Sequence, residues 1–180
     1  RIRDFPRRAL ERAPPEPRAP PLQAPSVSPT TPPSAKHLLH FEGGDALSRF
    51  RAQALLPRLQ AVAPRVVDVH ARHVHWVWTD TAPSAGERDR FEALLRYGPR
   101  YDGPAEGALV VVMPRLGTVS PWASKATDIA HNCGLAAHRL ERVTEYRLAL
   151  KSGLLGGARP LADAERDAVA ALLHDRMTES

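Results

Sequence analysis

Between Pro114 and Leu135 the chain reads PRLGTVSPWASKATDIAHNCGL, which places Arg115, Ser120, Trp122, Ser124, Lys125, Asp128, His131, Asn132 and Cys133 in one strand exit, loop and short helix. Ser120, Asp128 and His131 are the side-chain types of a hydrolytic triad, but no nucleophile-elbow glycine pattern or evident oxyanion hole accompanies them. Cys133 beside His131 suggests an activated thiol. Residues two apart on a helix point about 200° away from each other and do not meet, so a small buried cysteine near a helix C-terminus is the better account. What remains is a binding loop on a rigid scaffold. Ser120 and Ser124 then cap the helix start, while Arg115, Trp122, Lys125 and Asp128 face a partner. The plainer alternative is a helix held by its caps and a surface ion pair.

A second cluster, His70, His73 and His75, invites a metal reading, because residues two apart on a strand share a face. No Cys, Asp or further His stands at a supporting spacing, and Asp68 belongs to the face of His70, so ordinary sheet histidines are expected. The chain has no G-x-G-x-x-G, no G-x-x-x-x-G-K-[ST] and no carboxylate cluster suited to Mg²⁺. Catalytic, cofactor-binding and metal-binding residues are therefore all expected to be none.

The string GTVSPWASKATDIAHNCGL resembles the loop-and-helix signature near the N-terminus of phosphoribosylformylglycinamidine synthase, the large purine-biosynthetic amidotransferase. Ala123 and Val119 are the departures from its usual form, and the Pro-rich start has no counterpart there. Further segments are similar to that family in its own order: GDALSRFR at 44–51, VHARHVHW at 69–76, LLRYG at 94–98, RLERVTEY at 139–146 and LHDRMTES at 173–180. The resemblance implies a parent ligase that converts formylglycinamide ribonucleotide to the amidine with ATP and glutamine. Its ATP and Mg²⁺ ligands and its ammonia-releasing Cys-His-Glu set lie in domains beyond these residues. The region itself is then a non-catalytic scaffold that resembles a fused pair of a separate small subunit. Its partners are the synthetase and glutaminase domains of the same chain, with Arg115, Ser120, Trp122, Lys125 and Asp128 as the interdomain contacts. The rival from another class is a free-standing ferredoxin-like regulatory module that binds a small ligand between sheet and loop.

Composition agrees. Ten of the 18 prolines fall in the first 33 residues, so residues 1–36 are expected to be a disordered Pro/Arg-rich tail. That segment holds seven basic and three acidic residues, a balance of +4, against +1 for the other 144. The folded part thus lacks the basic excess that nucleic-acid binding needs. Asp4, Glu11 and Glu16 interrupt the tail, which argues against a transit peptide. No apolar run approaches the ~20 residues of a membrane span, and the lone cysteine suits a reducing cytoplasm. The start at Arg1 and the stop inside a helical pattern read as a piece of something longer.

The elements that must position the loop follow from periodicity. A short strand at 37–42 leads into Gly43-Gly44, with Asp45 as N-cap of a helix carrying Leu47, Phe50, Ala54, Leu55, Leu59 and Val62. Residues 65–79 form a strand whose apolar face switches midway, suggesting a bulge or a strand shared between two environments. A helix opens at Pro83-Ser84, and GALVVVM at 107–113 reads as a central strand. The signature helix spans 125–132 with Gly134 as its C-cap, and 139–150 alternates as a strand. The fold class is α+β: two split β-α-β units in a ferredoxin-like antiparallel sheet with helices on one face and right-handed crossovers. The expected domains are the tail (1–36), the scaffold domain (37–152) and the start of a linker (153–180), with a glycine hinge at 153–160 and a helix whose apolar stripe, Leu172, Leu173 and Met177, has no partner.

Overall fold

Strand β1 (His37–Asp45), helix α1 (Arg49–Val62), strand β2 (Val66–Thr79), helix α2 (Ala85–Leu95), strand β3 (Ala108–Val112), helix α3 (Pro121–Asn132), strand β4 (Arg139–Leu150) and helix α4 (Asp163–Leu173) follow one another along the chain. They come from a computed structural model that describes residues 37–151 and 159–180, all within one compact unit. The expected tail at 1–36 and most of the expected hinge lie outside the described residues.

The strands form one antiparallel sheet in the order β1-β2-β4-β3. Facing residues share a side of the sheet, so Leu39, Val77 and Leu140 line up across three strands, as do Val69 and Leu148 with Ala108. Both apolar clusters lie on this side. Leu59 and Ala63 of α1 and Val169 and Leu173 of α4 pack on Val66, Val69, Val110 and Leu148. Phe91 and Leu95 of α2 and Ala130 of α3 pack on Phe41, Val77 and Leu140. Each fully buried Val, Leu or Phe among these contributes about 1.5–3 kcal/mol. The α+β class, the antiparallel sheet and the helices on one face are as expected.

The connections differ from the expected crossovers. β1 is hydrogen-bonded to β2 and β3 to β4, so α1 and α3 each link antiparallel neighbours, and the crossover is made by α2, which joins β2 to β3, two strands that run parallel with β4 between them. β3, read as central, is an edge strand: Val110 and Val112 are buried while Leu109 and Val111 remain 45% and 44% exposed. The bulge in β2 lies at its start, between Val66 and Asp68, and leaves Val67 outside the core.

The N-cap of α1 is Ser48, not Asp45; Asp45 ends β1 and accepts the Leu47 N–H at 3.1 Å. The last helix is also partnered, contrary to expectation. Val169 and Leu173 belong to the core, and only Met177 of the expected stripe is left 80% exposed. After it, Thr178 to Ser180 pair with Met113 to Arg115 through backbone bonds of 2.9 to 3.0 Å.

Gly43 and Gly44 sit where the β1 register slips. A Cβ on Gly44 would stand 2.5 Å from the Pro99 carbonyl oxygen and 2.7 Å from that of Tyr97. Only glycine lets the segment after α2 lie this close, and the Asp45 N–H secures it by donating to Pro99 at 2.8 Å.

Candidate functional site: the signature loop and its aromatic floor

The loop between β3 and α3 is built by a tight turn. Arg115 accepts the Thr118 N–H at 3.1 Å, and Gly117 holds φ at +82°, the left-handed value a type II turn requires at its third residue. The turn pushes Leu116 and Val119 outward, 84% and 58% exposed. Ser120 then starts the helix: its Oγ accepts the Ala123 N–H at 3.0 Å, and Pro121 occupies the first turn. The same hydroxyl donates to Glu141 at 2.9 Å. Glu141 is buried on β4 and also pairs with Arg139, which donates to the Thr118 carbonyl at 2.9 Å. Cap, turn and strand are thereby tied together.

Trp122 lies half-buried beneath this loop. Its ring stacks on His75 at 5.3 Å and 27°, and the Arg142 guanidinium stands 5.1 Å from its centre. Arg142 donates to the Tyr97 hydroxyl at 3.2 Å, and that hydroxyl shares a 2.9 Å hydrogen bond with His75 Nε2. His75 is fully buried, and among the described residues its Nδ1 and that of His73 have no hydrogen-bond partner. Burial pushes both imidazoles down to about 4. For His75 the neighbouring His73 and Arg142 add to the effect; for His73 Arg142 adds and Asp45 opposes. Both rings are therefore neutral near pH 7.

Beside Trp122, a groove of about 440 Å³ opens between the end of α2 and the outer side of α3. Leu94 and Tyr97 form one wall, and Trp122, Lys125 and Ile129 the other.

The sequence-derived candidates separate accordingly. Arg115, Lys125 and Asp128 are exposed, and among the described residues none has a side-chain hydrogen bond or ion pair. Ser120 is a cap and Trp122 a stacking residue. The triad side chains are committed elsewhere: Ser120 to Glu141, and His131 Nε2 to the Ala137 carbonyl at 2.7 Å. Cys133, expected to be buried, is exposed, because it follows the last turn of α3 where Gly134 turns the chain at φ +69°. His70 bonds Asp68 at 3.1 Å, and no group of three or more metal-ligating side chains gathers among the described residues. Sequence reasoning missed Tyr97 and Arg142. Tyr97 was visible only within LLRYG, and nothing local marked Arg142 as its partner.

A family model described as the N-terminal region of formylglycinamide ribonucleotide amidotransferase matches residues 72–180. The chain belongs to this family. The match begins inside β2 and takes in α2, β3, the signature loop, α3, β4 and α4 of this amidotransferase N-terminal region. It therefore covers the whole loop and its aromatic floor, and the family places the chain in a purine-biosynthetic enzyme. No described helix of the amidotransferase N-terminal region is long and apolar enough to cross a membrane.

Proposed function

We propose that this region is the non-catalytic docking domain of an ATP- and glutamine-dependent ligase that converts formylglycinamide ribonucleotide to the amidine. It holds the synthetase and glutaminase parts of the same cytoplasmic chain together, and ATP and Mg²⁺ bind in those parts. The observation that carries this reading is the loop surface. Leu116 and Val119 are large apolar residues turned out to solvent beside Arg115, whose guanidinium makes no ion pair among the described residues. Exposed apolar residues rimmed by charge are the composition of a protein contact. Ser120 and Trp122 give that surface its shape from below, and Lys125 borders it on the groove side.

The purified 180-residue chain supplied with ATP, Mg²⁺ and glutamine tests the reading. No turnover is expected, and activity should return when the remaining parts of the amidotransferase are added in trans. Saturable ATP or glutamine hydrolysis by the chain alone would overturn it.

A further inference from the structure

The groove between α2 and α3 is a different surface from the exposed turn at Leu116, and it has the composition of a ligand pocket. Its volume of about 440 Å³ falls within the range of small-molecule sites, roughly 300–1,000 Å³. The walls are apolar and aromatic, with Leu94, Tyr97, Trp122 and Ile129 facing the space. Lys125 is the charged residue in the lining, and among the described residues no carboxylate lines it. Asp128, three positions on along α3, makes no ion pair with Lys125. Behind the wall, Arg142 adds a second positive charge over Trp122 and fixes the Tyr97 hydroxyl. Two cations, Lys125 in the lining and Arg142 behind the wall, thus flank a flat apolar interior.

We infer that this groove binds a small aromatic anion, its ring system lying against Trp122 and Tyr97 and its carboxylate, sulfonate or comparable acid meeting the Lys125 ammonium. Stacking on the two aromatic walls supplies affinity, and the ammonium at the rim selects for charge. This does not rest on the docking role of the loop, whose exposed apolar residues Leu116 and Val119 lie outside the groove.

The test uses the 180-residue chain and two dyes of one shape, 1-anilinonaphthalene-8-sulfonate and its uncharged parent N-phenyl-1-naphthylamine, titrated by fluorescence and calorimetry. The sulfonate is expected to bind one saturable site, about fivefold more tightly than the neutral dye, the factor for a partly exposed charge pair of about 1 kcal/mol. Lys125→Ala should remove that preference, and Lys125→Arg should keep it. Ile129→Trp, at a position 42% exposed and so compatible with folding, should obstruct the groove and weaken both dyes at an unchanged melting temperature. Equal affinity for the two dyes, binding indifferent to both positions, or no saturable binding would each overturn the inference.

Discussion

The indole of Trp122 and the imidazole of His75 stack with centroids 5.3 Å apart, joining the signature helix to the middle of the sheet. Trp122 is consequently part of the fold as well as part of a surface. Trp122→Ala should destabilise the isolated region by about 3 kcal/mol, the low end for truncating a large aromatic side chain, since the ring is only half-buried. Urea denaturation reads this directly. An unchanged midpoint would mean that the stack contributes nothing to stability and that Trp122 serves only a partner.

The same stack makes stability depend on pH. His73 and His75 titrate near 4 when folded and near 6.5 when unfolded, so between those values the unfolded chain binds more protons. Stability is complete above about pH 6.5 and falls as the pH drops towards 4. The groups around the two rings, Arg142, Tyr97 and Trp122, offer no carboxylate, and Asp45 assists His73 alone. The melting temperature should therefore fall markedly from pH 7.5 to 5, and His75→Phe, which keeps a ring against Trp122, should flatten the fall. Parallel melting curves for the two proteins would refute the assignment.

Ser120 supports the loop twice, as cap and as donor to buried Glu141. Ser120→Ala should cost about 1–2 kcal/mol, combining a lost cap with a buried carboxylate left short of one donor. Ser124→Ala should cost much less, because its hydroxyl reaches only the Ser120 carbonyl, at 3.5 Å. Thermal unfolding of the pair separates them, and equal losses would contradict the role given to Ser120.

Val169, fully buried against β3 and α1, decides whether α4 belongs to this unit. Val169→Asp should unfold the region, because it places an unpaired charge in the core. Met177→Asp, at an 80% exposed position, should leave the melting temperature unchanged. A well-folded Val169→Asp protein, judged by near-ultraviolet circular dichroism, would show α4 to be dispensable.

Much of the fold was legible because it is local. Ser84 and Glu87 form a reciprocal cap at the helix start that Pro83-Ser84 announced, and the alternation of Leu140, Tyr146, Leu148 and Leu150 placed the right side of β4 on the core. What was not legible depends on partners distant in sequence. GALVVVM is as apolar as a central strand, but its position at the edge is set by the pairing of β2 with β4. The partnering of α4 depends on α1 and β3, which its own stripe cannot reveal. At the site, the loop residues stood out by type, whereas the cluster of His75, Tyr97, Trp122 and Arg142 draws on four separate segments and follows no spacing rule. The signature helix also starts four residues before the expected Lys125, because Pro121 fits the first turn and needs no hydrogen-bond acceptor there.

The docking role is tested most directly by a Leu116→Glu, Val119→Glu double variant in an amidotransferase that carries this region, assayed with glutamine and separately with free ammonia as the nitrogen source. Both side chains are exposed, so the isolated region should melt as the parent does. The expected result is a loss of at least about tenfold in the glutamine-dependent rate, the effect of removing an apolar contact worth more than about 1.4 kcal/mol, with the ammonia-dependent rate largely retained. A variant that keeps its full glutamine-dependent rate would contradict the account.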